Sequence, residues 1–255
     1  TGGNIHGFLW DPAKGLEDLG SLPGDTGSRA FGISNSDEVV GYSSGPKGVM
    51  AVSWKGKAGP DSLGNLPGGN LSQAYDVVSN GSIVGFALTS SGDRHAVLWQ
   101  HGGAIQDLGT LPGDITSEAH RINDPGDVIG SSSGPGGPRA VLWPKGGAIQ
   151  NLGTLGGDSN SDALDINNNA EVVGTSMGGI GPRAFYWSSS SQMLDLNYLI
   201  PSNSNIVLTA GVGISNGGRV LAIGIVTTDR SQPVEQDDTH QHAGPIHAFL
   251  LVPIP

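Results

Sequence analysis

Residues 140–174 read AVLWPKGGAIQNLGTLGGDSNSDALDINNNAEVVG, four short apolar or β-branched runs separated by Gly, Pro, Asn, Asp and Ser. The runs are Ala140-Val141-Leu142-Trp143, Asn151-Leu152-Gly153, Ser161-Asp162-Ala163 with Ile166, and Val172-Val173-Gly174. Short runs of this composition bounded by turn formers are the mark of strands, and nothing here keeps a 3.6-residue period for three turns. The Asn-rich link 166–169 joins the third run to the fourth, where a hairpin often needs positive φ. The stretch therefore reads as one four-stranded antiparallel sheet.

The same pattern recurs along the chain. Trp10, Trp54, Trp99, Trp143 and Trp187 are separated by 44, 45, 44 and 44 residues. The second run returns around Leu19, Leu63, Leu108, Leu152 and Leu196. The third carries Ser28 and Ala30, Ser72 and Ala74, Ser117 and Ala119, Ser161 and Ala163, and the fourth ends at Gly41, Gly85, Gly130 and Gly174. A repeated unit of this size cannot bury its apolar face alone and must stack on its neighbours. The expected fold is all-β, a β-propeller of four-stranded antiparallel blades in which radial packing covers most sheet edges. A β-solenoid is the rival, but its coils are usually shorter. One repeat domain, 1–255, is expected, with approximate units 4–48, 49–93, 94–138, 139–182 and 183–246 and a closing strand at 247–251.

The last unit is altered. A polar insertion occupies 229–244, and His247-Ala248-Phe249-Leu250-Leu251 then restores the first run, with Leu251 in the tryptophan place. The chain thus has six first runs but five of every other kind. That count favours five blades closed by the two chain ends. Six remain open to the reading if missing or partner strands complete a blade, and a spare strand with an unpaired edge would invite self-association.

Composition narrows the roles. Only 14% of the 255 residues are charged, 43 are Gly, and the net charge of −11 comes without the Lys/Arg clusters that nucleic acid demands. The absence of Cys removes thiol chemistry and Cys-ligated metal. No run of 18 apolar residues suggests a membrane-spanning helix, and no leader pattern follows Thr1, so a signal peptide, had there been one, is expected to have been removed.

Taken together, His247-Ala248-Phe249-Leu250, Asn151-Leu152-Gly153-Thr154-Leu155-Gly156-Gly157, Ser161-Asp162-Ala163-Leu164-Asp165-Ile166-Asn167 and Val172-Val173-Gly174 resemble the repeat of the bacterial HAF-repeat family of extracellular proteins. Asp195-Leu196-Asn197-Tyr198-Leu199-Ile200-Pro201 looks like that family's terminal repeat. The resemblance covers nearly the whole chain and departs from the pattern at 229–244. It implies export and a repeat-built β fold, and brings no catalytic residues with it.

Three sets of residues are candidate sites. Asp25, Asp114 and Asp158 follow Gly in the turn after the second run and offer carboxylates to Ca²⁺ or a cationic partner, although Gly-Asp is also a common turn dipeptide. Asp238, His240 and His242 crowd together in the insertion, a donor set suited to Zn²⁺ or to general acid-base work, but without an accompanying HExxH motif. The tryptophans could stack on sugars, yet one Trp per blade at the end of an apolar strand suits inter-blade packing better. His6, His95 and His247 share one place before the first run, which Met50, Arg139 and Arg183 hold in the other copies, and an ordering role at a strand start is expected there. The expectation is a secreted, non-enzymatic module for binding or assembly, with carbohydrate or another surface polymer as ligand. The alternatives are an extracellular polysaccharide hydrolase or lyase with a site near 229–244, and a subunit of an extracellular filament joined by strand exchange.

Overall fold

The computed structural model describes residues 4–56, 59–100, 103–227 and 245–253. The chain divides into two compact units, 1–110 with 115–126, and 111–114 with 127–255. The first holds β1 (Phe8–Asp11), β2 (Gly15–Asp18), β3 (Gly27–Ile33), β4 (Glu38–Gly45), β5 (Gly48–Lys55), β6 (Pro60–Ser62), β7 (Ser72–Val77), β8 (Ile83–Leu88), β9 (Arg94–Trp99), β10 (Ile105–Asp107) and β11 (Thr116–Ile122). The second holds β12 (Val128–Gly134), β13 (Gly137–Trp143), β14 (Gln150–Gly153), β15 (Asp158–Ile166), β16 (Val172–Gly178), β17 (Gly181–Ser188), β18 (Gln192–Asp195), β19 (Ile206–Ile214), β20 (Val220–Val226) and β21 (Ile246–Leu251). A single 3-10 turn, Leu196–Tyr198, follows β18. No helix of the described residues is long and apolar enough to cross a membrane.

The strands form six sheets, and within each unit strand order follows sequence order, as in β3-β4-β5-β6, β7-β8-β9-β10 and β15-β16-β17-β18. Each full sheet starts at a Ser-x-Ala strand and ends at a Leu-Gly strand. It therefore joins the second half of one Trp-to-Trp unit to the first half of the next. Among the described residues, strands β1 and β2 pair with each other, and β21 pairs with β20 in a three-stranded sheet. Among the described residues the sheets number six, the count that the sequence left open beside the favoured five.

Register follows from two local features. In the Ser-x-Ala strands the pairing slips by one residue after Ala30, Ala74 and Ala163, a bulge in each case. Opposite each bulge stands the glycine of Val-Val-Gly, because a Cβ on Gly41, Gly85 or Gly174 would collide with the carbonyl of Arg29, Gln73 or Asp162. The hairpin into the Val-Val-Gly strand needs a left-handed residue, and one position fills that need in every copy: Asp37, Gly81, Gly126, Ala170 and Gly218. In the Asn-rich link the positive φ falls on Ala170, at 57°, rather than on an asparagine.

Packing confirms what the tryptophans do. Trp54, Trp99, Trp143 and Trp187 are 2–5% exposed, opposite Val39, Ile83, Val128 and Val172 on the adjoining strand. In the first unit Trp99 belongs to a core with Val40, Ala51, Leu66, Ala74, Val77 and Val97, so residues of neighbouring sheets interleave. In the second, Trp187 packs with Leu142, Leu155, Ala163, Ile166 and Phe185. Trp10 departs from the rule at 65% exposed, since among the described residues β1 pairs with β2 and no Val-Val-Gly strand lies beside it.

Candidate functional site

The serine of the Ser-x-Ala strand, kept in four copies, and the turn aspartate, kept in three, are fastenings. The hydroxyl of Ser28, Ser72, Ser117 or Ser161 accepts a hydrogen bond from the backbone N–H of Gly7, Ala51, Ala96 or Ala140, at 2.9–3.1 Å. It donates to the carbonyl of Gly20, Gly64, Gly109 or Gly153, at 2.6–2.9 Å. One side chain thus ties the start of each sheet to the outer two strands of the sheet before it. Buried groups satisfied on both sides in this way leave no hydroxyl for nucleophilic work.

Two of the turn aspartates are hydrogen-bonded by a serine, and the third faces a buried cation. Asp25 and Asp114 accept from Ser43 Oγ and Ser132 Oγ at 2.6 and 2.7 Å, and Asp158 Oδ2 lies 2.9 Å from Arg183 Nη2. Each carboxylate lies against a glycine, Gly45, Gly134 or Gly178, where any Cβ would strike it. In the second copy the pair changes together: Gly69 replaces the aspartate and Ala87 the serine. No group of three or more His, Asp or Glu among the described residues is placed to hold a metal ion. Asp238, His240 and His242 lie outside the described residues.

In three copies the basic residue before the first run pairs with the acid twelve positions on. His6 Nδ1 meets Asp18 at 2.9 Å, His95 Nδ1 meets Asp107 at 2.8 Å, and Arg183 Nη1 meets Asp195 at 2.9 Å. The hydrogen bond from His6, aided by the backbone N–H of Gly20, holds the Asp18 carboxyl below its usual range. Arg183 is buried between Asp158 and Asp195. Burial opposes its charge, but the two carboxylates outweigh that and raise its pKa further. These are strand clips, the ordering role expected of the position. The twelve-residue spacing was visible in the sequence as His-to-Asp and Arg-to-Asp; the pair is absent where Met50 stands with Ser62, and where Arg139 stands with Asn151 and donates to the Ser159 carbonyl instead.

What remains is a cluster in the first unit that the repeat does not require. Phe31 on β3 stands 5.7 Å from the Tyr42 ring on β4 and 5.4 Å from the Tyr75 ring on β7. Tyr75 stands 5.9 Å from Phe86 on β8, and the Arg94 guanidinium lies 4.2 Å above the Phe86 ring. Arg94 in turn meets Glu118 of β11 at 2.6 Å. Burial, and then the neighbouring Glu118 carboxylate, pushes the Tyr75 phenol well above its usual value, so it stays a neutral hydroxyl. Phe31 is 47% exposed and Arg94 is exposed, while Tyr42, Tyr75 and Glu118 are half-buried.

The sites of these residues explain why the sequence pattern did not flag them. Phe31 and Tyr75 are the bulge residues of their strands, the place that Leu164 and Val212 hold in the second unit. Tyr42 and Phe86 correspond to Thr175 and Ile223 there. The third copy puts His120 and Ser131 at these two places, so an aromatic pair there is not asked for by the architecture. The signal was the departure from the repeat rather than the repeat. The track combines aromatic faces with a hydroxyl, a guanidinium and a carboxylate, groups that fix polar ligands on an apolar floor.

No family model matches the chain, and no curated protein matches it. Solved structures do. A protein of Agrobacterium tumefaciens described as TolB is similar over 96% of this chain and 87% of its own, with a TM-score of 0.57 and 11% identity. Dipeptidyl peptidase 4 of Porphyromonas gingivalis is similar over 86% of this chain, with a TM-score of 0.52 and 16% identity, and this chain spans 34% of its length. The fold is a β-propeller. At these identities the likeness speaks for the fold alone, and propellers serve unrelated roles.

Proposed function

We propose that this propeller is a secreted, non-enzymatic binding module of the HAF-repeat kind, whose ligand is a carbohydrate or another surface polymer. The aromatic track of Phe31, Tyr42, Tyr75 and Phe86 is its contact surface. The observation that carries the reading is the exposure of Phe31 within that track, beside Arg94 and Glu118. Sugars present apolar C–H faces and polar edges, and flat rings edged by hydrogen-bonding groups match both. The four buried tryptophans take no part, and the repeated serines and turn aspartates are occupied by the fold.

The test is direct binding to a panel of neutral and acidic polysaccharides, by affinity electrophoresis and calorimetry. Phe31→Ala removes a half-exposed ring from the contact and is expected to weaken binding about tenfold, the equivalent of about 1.4 kcal/mol, with the melting temperature held. Equal binding by the variant, or no polysaccharide bound by the parent, overturns the reading. Release of reducing ends from a bound polymer would instead make it an enzyme. Recovery of the protein from the culture medium of its own host tests secretion.

A further inference from the structure

Strand β3 carries a cation that the repeat does not call for. Arg29 stands between Ser28 and Ala30, at the place held by Gln73, Glu118, Asp162 and Ala210 in the other copies. Lys14, Lys55, Arg94 and Arg183 each meet a carboxylate at 2.6–3.6 Å. Arg29 is exposed, and among the described residues its guanidinium has neither an ion pair nor a hydrogen bond. In a chain with 12 Lys and Arg against 23 Asp and Glu, a cation left without an acid stands out from its surface.

Register puts that cation on the aromatic track. Arg29 of β3 and Tyr42 of β4 are partners. Partners in an antiparallel pair project from one face of the sheet, with Cβ atoms about 4.5–5.5 Å apart. The guanidinium therefore springs from the face that carries the Tyr42 ring, which lies 5.7 Å from the exposed Phe31 ring. Arg94 closes the other end of the track over Phe86, but Glu118 already compensates its charge. One guanidinium of the track is thus neutralised, and the one beside Phe31 and Tyr42 is open.

We propose that the polymer bound by the track is an acidic polysaccharide. Arg29 receives its anionic group, a uronate carboxylate or a sulfate ester, from the sugar that stacks on Phe31. The inference rests on the polysaccharide reading and names the class of polymer. A guanidinium is a planar fork of N–H donors that meets paired anionic oxygens with two parallel hydrogen bonds, and it keeps its charge throughout the working pH range. The net charge of −11 opposes an acidic polymer at a distance. At physiological salt, however, exposed charges more than about 8 Å apart are largely screened, so the fork at the contact decides.

Two matched pairs of polymers test this: polygalacturonate with its methyl ester, and dextran sulfate with dextran. Each pair shares a backbone and differs in charge. Calorimetry on the parent protein is expected to show about tenfold tighter binding to the charged member of one pair. The pair that shows it tells whether carboxylate or sulfate is the group received. Arg29→Gln is expected to erase that preference, and Arg29→Lys, which keeps the charge but not the fork, to retain only part of it. Both variants are expected to melt with the parent, because Arg29 is exposed. Equal binding of charged and neutral members by the parent overturns the proposal, and so does a preference that survives Arg29→Gln. In either case, binding that Phe31→Ala weakens leaves the polysaccharide reading standing. A parent that binds none of these polymers overturns that reading and this inference together.

Discussion

Replacing Arg183 by Met removes the cation from a buried triad. The Arg183 side chain is 10% exposed, Asp158 1% and Asp195 5%, and the guanidinium lies 2.9 Å from a carboxylate oxygen of each. Nη2 also donates to the Gly156 carbonyl. Taking one partner from a buried ion pair usually costs about 3–5 kcal/mol, because the other charge stays buried without compensation. Asp195 keeps two donors from Asn197, so its charge remains partly satisfied, whereas Asp158 loses its nearest cation. The expected loss is therefore near the lower bound, about 3 kcal/mol, or roughly 6–12 °C in melting temperature for a chain of this size.

The assay is thermal unfolding by circular dichroism at pH 7 and again at acid pH. Carboxylates stripped of their cation in a buried place bind protons more tightly than they do in the unfolded chain. The variant's native state then takes up more protons on acidification, so its deficit narrows as pH falls. A loss under about 1 kcal/mol at pH 7, or a deficit that widens in acid, would refute the account of Arg183 as a compensated buried cation.

Ser72→Ala strips the Ala51 N–H of its acceptor in a place with no exposure, and is expected to cost about 1–3 kcal/mol. Denaturant unfolding measures this, and faster hydrogen exchange at Ala51 localises it. Ala170→Gly relieves a side chain held at φ 57° and should stabilise the protein by about 1 kcal/mol in the same assay. At Glu171, burial opposes ionisation, but hydrogen bonds from Asn167, Tyr186 and Asn169 outweigh it and hold the carboxyl below its usual range. A depressed folded pKa gives stability that is complete above the ordinary carboxylate range and lost as pH falls through it. Glu171→Gln is therefore expected to flatten the acid limb of the stability profile, and an unchanged limb would count against it.

Much of the architecture was legible because it repeats. A tryptophan every 44 or 45 residues, with strand signals between, specifies stacked four-stranded sheets whatever the individual contacts are. The basic residues before the first run were expected to order a strand start, and the pairs His6 to Asp18 and His95 to Asp107 do so. The aromatic track was not legible in the same way. Phe31 and Tyr42 are close in sequence, but Phe86, Arg94 and Glu118 reach them only through packing of β3, β4, β7, β8, β9 and β11.

Blade closure shows the division most plainly. Sequence alone determined that His6 to Trp10 and His247 to Leu251 are copies of one motif. It could not say which copy takes the β20 edge, because both satisfy the same alternation of side chains and backbone hydrogen bonds are blind to sequence. Tertiary structure decided in favour of β21, leaving Trp10 exposed while its four counterparts are buried. A repeated pattern encodes the local pairing of each strand. Which of two equal strands fills a single edge depends on where the rest of the chain leaves them in space.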